Sequence, residues 1–192
     1  PAEKIAYCSF ASKALAGTRE RMKEKGASED DLRYFRTIHS MNFHLLGLSR
    51  SRVADKKLAE FCKEKKFSLS DVEKKDDDIP YAADKTLDDR FYKQMQEDRA
   101  NLRSMNFIHP KLRGYAAQYM RFKKNYFDWM KEHDYIDFTG MIEQGIEQGV
   151  LPPVDLICID EWQDLNLLQI KQINMWAANI KTSYHAGDDD QC

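Results

Sequence analysis

At 192 residues and 42 % hydrophobic content, the chain is long enough to bury one core and a small second module. A charged fraction of 32 %, with no apolar run approaching a membrane span and no secretory leader, predicts a soluble cytoplasmic protein with no membrane partner. A net charge of −2 excludes a uniformly basic nucleic-acid binder. Yet Lys13, Arg19, Arg21, Lys23 and Lys25 cluster early, and local patches govern phosphate contact.

Residues 4–9 read as a strand, and Ser12 starts a helix to about Lys25 with Gly26 as its stop. Residues 34–38 read as a second strand, followed by helix from about Met41 to Lys65 with a break near Gly47. Ser70 and Glu73 have capping-box spacing, and the charged run 74–78 before Pro80 predicts an exposed boundary. Residues 86–106 read as a polar helix with Phe91, Met95, Leu102 and Met105 as apolar points, before a break at Pro110. In residues 111–132, Tyr115, Tyr119, Phe122, Tyr126 and Trp129 recur at spacings of three and four, an amphipathic stripe. Such a stripe belongs to a core before it belongs to a nucleic-acid platform, and Arg121, Lys123 and Lys124 opposite it read as a solvated basic face. A short helix from Asp137 to Gly149 then leads through Pro152-Pro153 to an apolar, β-branched strand at 156–159. A helix with Ile170, Ile173 and Trp176 inward and a last strand at 182–186 complete an α/β core with a helical insertion.

Cys8, Cys62, Cys158 and Cys192 form no Cys-x-x-Cys pair, and the five histidines are scattered. The thiols read as buried or incidental in a reducing compartment, and no metal site built from protein ligands alone is expected.

The chemistry concentrates in the last third. A buried parallel strand ending in Asp160-Glu161 delivers carboxylates to a phosphate–metal site, and Gly187-Asp188-Asp189-Asp190-Gln191 follows one helix and strand later. Magnesium prefers carboxylates, water and substrate phosphates, so Asp160 is the metal candidate. Glu161 is the candidate for orienting and deprotonating an attacking water, and Gln191 for sensing a terminal phosphate. The plainer alternative is that Asp160 and Glu161 cap the following helix.

These residues resemble the first motor domain of UvrD/Rep-type superfamily 1 DNA helicases, also seen in RecB-like nuclease-helicases. Asp160-Glu161-Trp162-Gln163-Asp164 resembles the family's Walker B motif, and Gly187 to Gln191 the motif after it. Ser9-Phe10-Ala11-Ser12-Lys13-Ala14 is similar to the Thr-Phe-Thr-Asn-Lys-Ala single-strand contact, with Ala11 and Ser12 as departures. Thr37-Ile38-His39-Ser40 is similar to the next DNA-contact motif, and Ile136-Asp137-Phe138-Thr139 to the segment that re-enters the motor domain. The resemblance implies a partial RecA-like parallel sheet flanked by helices and interrupted by an α-helical insert. Its segments are 1–66 and 135–192 for the motor domain and 67–134 for the insert.

What the resemblance implies for function is ATP-dependent translocation on single-stranded DNA and unwinding at duplex junctions, with ATP and Mg2+ as cofactors. Asp160, Glu161 and Gln191 would serve the nucleotide. Ser9, Phe10, Ser12, Lys13, Thr37 and His39 would grip DNA, with Phe10 stacking on a base. The sequence contains no Gly-x-x-x-x-Gly-Lys-Ser/Thr, so residues 1–192 read as part of a helicase that would not turn over ATP alone, with an open sheet edge that self-associates. The alternatives are the helicase portion of a RecB-like exonuclease and a degenerate motor domain serving DNA binding or assembly. A metal-dependent phosphatase using Asp160 and Asp188 leaves the Phe10 and Thr37 motifs unexplained.

Overall fold

The computed structural model describes residues 4–9, 12–70 and 86–188. Four strands are present: β1 (Ile5–Cys8), β2 (Phe35–Arg36), β3 (Leu156–Ile159) and β4 (Thr182–His185). The helices are α1 (Ser12–Glu24), α2 (Ile38–Leu45), α3 (Leu58–Lys65), α4 (Leu87–Ala100), α5 (Ala116–Glu132), α6 (Phe138–Glu147) and α7 (Leu167–Asn179). Two compact units result: Pro1–Leu48 with Met141–Cys192, and Ser49–Gly140.

The first unit is a parallel sheet in the order β2-β1-β3-β4. In the central pair Ile5 lies opposite Leu156 and Cys8 opposite Ile159, so both strands finish at one level. Alternation then sorts the side chains. Ala6, Cys8, Ile157 and Ile159 are buried together with Ile38 and Met41 of α2, Ile142 of α6, and Leu168, Ile173 and Trp176 of α7. The opposite face carries Tyr7, whose ring stacks on Phe35 at 5.5 Å. Helix α1 has no fully buried residue, although its Thr18 reaches the Tyr7 hydroxyl.

One polar pair sits inside this core. The Asn42 and Gln172 amides exchange hydrogen bonds at 2.7 and 2.6 Å, and Asn42 also donates to Ile38 O at 2.9 Å. Gly145 makes room for them, since a Cβ there would lie 2.0 Å from Asn42 Oδ1. A buried amide pair that bonds itself avoids the cost of an unpaired polar group.

The second unit is helical. Tyr119, Phe122, Tyr126 and Trp129 of α5 are fully buried with Phe61 of α3 and Phe91 and Met95 of α4. Phe61 meets Phe122 and Tyr126 edge-on at 5.6 and 5.4 Å. The stripe is therefore core. Residues 49–66 belong to this unit, and Phe61 is part of its core. Asp137, 0 % exposed, receives Arg99 Nη2 at 3.0 Å, Gln96 Nε2 at 2.9 Å, Tyr126 Oη at 3.1 Å and Gly140 N at 2.7 Å. Burial raises its pKa; the Arg99 charge, together with the hydrogen bonds from Arg99, Gln96 and Gly140 N, outweighs that and holds it below the usual carboxylate range.

Several element boundaries differ from the sequence expectation. Helix α4 ends at Ala100, where Asn101 donates back to Glu97 O and Leu102 turns left-handed, leaving Leu102 and Met105 exposed. The expected helix from Met41 to Lys65 is two helices, separated after Gly47 (φ 62°) by 3-10 turns at Arg50–Arg52 and Ala54–Lys56. Residues Pro110–Tyr115 form a 3-10 turn, so Tyr115 stands outside α5 and is exposed. Lys123 is not on a solvated face. It is 3 % exposed, donates to Met105 O at 2.6 Å and Phe107 O at 2.9 Å, and lies over the Tyr119 ring. The charged run 74–78 and Glu73 lie outside the described residues, whereas Ser70 bonds Asp89.

Candidate nucleotide and nucleic-acid site

The two central strands end side by side, and Asp160 N donates to Cys8 O at 2.9 Å one residue beyond β3. The Asp160 carboxylate accepts a hydrogen bond from the Tyr7 hydroxyl across the strand pair. Burial, and then this bond, push the Tyr7 pKa up, so the hydroxyl remains a proton donor. Glu161 follows in the left-handed region (φ 56°, ψ 47°), a conformation that costs a non-glycine residue about 1–2 kcal/mol.

The Gln163 amide holds the next turn together. Its Nε2 donates to Glu161 Oε2 at 2.6 Å, and its Oε1 accepts from Asp188 N at 3.1 Å. A Cβ on Gly187 would come within 2.7 Å of that Oε1, so glycine permits the approach. Trp162 N donates to Ala186 O at 2.9 Å, Ala186 N to Ile159 O at 2.8 Å, and the Trp162 ring stacks on His185 at 4.4 Å. The segments following β3 and β4 are thus joined into one rim.

The capping alternative is answered by α7, which begins with its own capping box, Asn166 with Gln169. Glu161 makes no side-chain cap bond to the Trp162–Asp164 turn. Neither carboxylate is spent on the helix that follows.

The donor set fits a hard cation such as magnesium: carboxylate oxygens at the sheet end, beside the buried Ser9 hydroxyl, which has no hydrogen-bond partner among the described residues. Asp160, Glu161 and Asp188 do not converge as a three-ligand cluster. Among the described residues that geometry occurs only at Glu64, Glu132 and His133, which are exposed. There Lys65 already holds Glu132 at 2.6 Å and His133 meets Glu64 at 3.0 Å.

Of the DNA candidates, Ser9 is 2 % exposed at the end of β1, and Ser12 and Lys13 are exposed at the start of α1. Thr37 is the N-cap of α2, its hydroxyl accepting from Ser40 N at 3.2 Å, while His39 is half-buried in the first turn. Phe10 and Gln191 lie outside the described residues. Arg19 is structural: it donates to Leu32 O at 2.6 Å and Phe35 O at 3.3 Å and pairs with Glu29. Sequence reading missed Tyr7 and the bridging role of Gln163; the Tyr7–Asp160 contact becomes visible only once β1 and β3 pair.

The fold is thus a parallel α/β sheet with adjacent carboxylates at its carboxyl rim. The model of the family described as UvrD/REP helicase N-terminal domain matches residues 1–192, and the chain belongs to that family, with an α/β RecA-like fold. A comparison with curated proteins gives no match. No helix among the described residues is long and apolar enough to cross a membrane.

Proposed function

We propose that the protein couples ATP hydrolysis to movement along single-stranded DNA and to unwinding at duplex junctions. One observation carries the reading: Asp160 and Glu161 stand at the carboxyl end of β3, and neither side chain caps the following helix. Asp160 is the residue that would hold Mg2+, which supplies charge neutralisation at the ATP phosphates. Glu161 orients the attacking water and takes its proton, its carboxylate steadied by Gln163. Gln191 contacts the terminal phosphate. Ser12, Lys13, Thr37 and His39 bond backbone phosphates, Phe10 stacks on a base, and Ser9 belongs to the same DNA contact. In this reading residues 1–66 and 135–192 form the motor domain and 67–134 its insert.

The same reading includes self-association through the outer edge of β4, which among the described residues pairs with β3 alone and exposes Tyr184 at 61 %. A monodisperse monomer in sedimentation velocity would remove that part.

The test is ATP hydrolysis with and without single-stranded DNA, using the full polypeptide that carries these residues and its Glu161→Gln variant. DNA-stimulated turnover that falls at least a hundredfold in the variant is the expected result. Equal turnover in both proteins would end the assignment of Glu161. No turnover with DNA binding intact would favour a DNA-binding module.

A further inference from the structure

The start of α2, helix α1 and the loop between α1 and β2 enclose an open hollow of about 600 Å³. Three guanidinium groups, Arg19, Arg33 and Arg36, line it together with the Ser40 hydroxyl and the carboxylates of Glu29 and Asp30. The acids offset part of this charge, since Glu29 pairs with Arg19 and Asp30 is exposed beside the hollow. Glu29 is held by both Arg19 and Lys23. Arg19 is further committed to two loop carbonyls.

Arg33 and Arg36 are placed differently. Arg36 is half-buried, donating from Nε to Arg33 O at 2.8 Å and from Nη1 to Ser40 Oγ at 3.3 Å. Arg33 is exposed and lies over the Tyr34 ring at 5.8 Å. Neither has a carboxylate partner among the described residues. Burial, then the neighbouring Arg19 and Arg33 charges, push the Arg36 pKa down, and burial with Arg36 and Arg33 does the same to His44. A half-buried guanidinium at Arg36 crowded by two other arginines, with no carboxylate bonded to it or to Arg33 among the described residues, is unfavourable, and an oxyanion entering between Arg33 and Arg36 relieves that. Guanidinium forks match phosphate oxygens in geometry as well as charge.

We propose that Arg33 and Arg36, with the Ser40 hydroxyl, form a phosphate site that takes one backbone phosphate of the single strand running past Thr37 and His39. The ligand's identity rests on the DNA-contact reading above. The site itself rests on the unpaired guanidiniums. Ser40 and Thr37 share the first turn of α2, so one strand touching Thr37 has its next phosphate within reach of the hollow.

The experiment is fluorescence anisotropy of a labelled oligothymidylate over a range of salt, using the full polypeptide without ATP, with Arg33→Gln, Arg36→Gln and Arg36→Lys. A parallel arm measures the shift in melting temperature on adding inorganic phosphate. Each Gln variant is expected to bind about five- to tenfold more weakly, with a salt slope shallower by about 0.7 for the lost single-strand contact, while Arg36→Lys keeps the slope. Phosphate should raise the melting temperature of the unmodified protein and not of Arg36→Gln. Unchanged affinity and slope in both Gln variants would overturn the site and leave the DNA reading standing. Phosphate stabilisation without DNA binding would keep the site for a free phosphate and overturn the DNA reading. Neither response would overturn both. If Arg36→Gln folds poorly, because it loses its bonds to Arg33 O and Ser40, the exposed Arg33→Gln decides alone.

Discussion

The Tyr7 hydroxyl donates to the Asp160 carboxylate, joining the middle of β1 to the residue just beyond β3. Tyr7 is thereby placed to fix the rotamer of a carboxylate at the candidate metal position, as outer hydrogen bonds do for ligating carboxylates elsewhere. Tyr7→Phe retains the stack on Phe35 and loses the hydroxyl's bonds to Asp160 and Thr18. The expected outcome in the full polypeptide is a Mg2+ requirement raised about tenfold, with ATPase at saturating Mg2+ reduced much less. Manganese binding followed by electron paramagnetic resonance should weaken in parallel. An unchanged metal requirement by both measurements would leave Tyr7 as a packing residue only.

Glu161, the proposed base, has an unfavourable backbone, φ 56°. Strain of this kind persists where surrounding structure over-determines it, and here the Gln163 amide and the Trp162 N to Ala186 O bond do so. Two variants separate the roles. Glu161→Gln should abolish turnover and leave stability within about 0.5 kcal/mol of the original. Glu161→Gly should abolish turnover and raise stability by about 0.5–1 kcal/mol, because glycine adopts the left-handed region freely. Urea denaturation of both variants is the check, and equal stability of the two would argue against stored strain.

Gly145 lies in α6, where glycine costs about 1 kcal/mol relative to alanine. Its retention follows from the Asn42–Gln172 pair, because an alanine Cβ would sit 2.0 Å from Asn42 Oδ1. Gly145→Ala should therefore destabilise the first unit by about 2–4 kcal/mol instead of improving the helix. Adding Asn42→Ala to that variant should recover part of the loss by opening the space. A stabilising Gly145→Ala in chemical denaturation would contradict the packing described.

Much of this architecture was legible in local patterns. The β-branched run 156–159 ending in Asp160-Glu161, and the aromatics of α5 at helical spacing, both follow from periodicity. What stayed hidden depends on partners distant in sequence or on backbone groups. The Tyr7–Asp160 contact spans 153 positions, and nothing beside Tyr7 announces it. Lys123 reads as a surface cation, yet its partners are the carbonyls of Met105 and Phe107, which no residue type encodes. The end of α4 carries no glycine or proline; Asn101 and the left-handed Leu102 terminate it without either. The arginine-lined hollow was invisible because Arg19 and Arg36 meet only after β2 pairs beside β1.

Asp55 supplies a pH dependence within the second unit. Its residue surface is half-buried, but the carboxyl end accepts from Phe138 N at 2.9 Å and Tyr92 Oη at 3.3 Å. Burial, and then the nearby Asp137 charge, push its pKa up to about 7. A folded pKa above the unfolded value of about 3.9 means that protonated Asp55 contributes stability in acid, and this contribution is lost as pH rises through about 7. Asp137 has the opposite sign, since Arg99 holds its pKa low; its contribution is lost only on strong acidification. Raising the pH from about 5 to about 8 should therefore lower the stability of the second unit. Asp55→Asn carries no charge and can still accept from Phe138 N through its amide oxygen, with its amide nitrogen donating to the Tyr92 hydroxyl in place of the bond accepted from it. It should melt independently of pH across that window and exceed the unmodified protein at about pH 8 by one or more kcal/mol, on the order of one pKa unit or above. Thermal melts of both proteins at the two pH values test this, and parallel pH profiles would mean that Asp55 is not the group responsible.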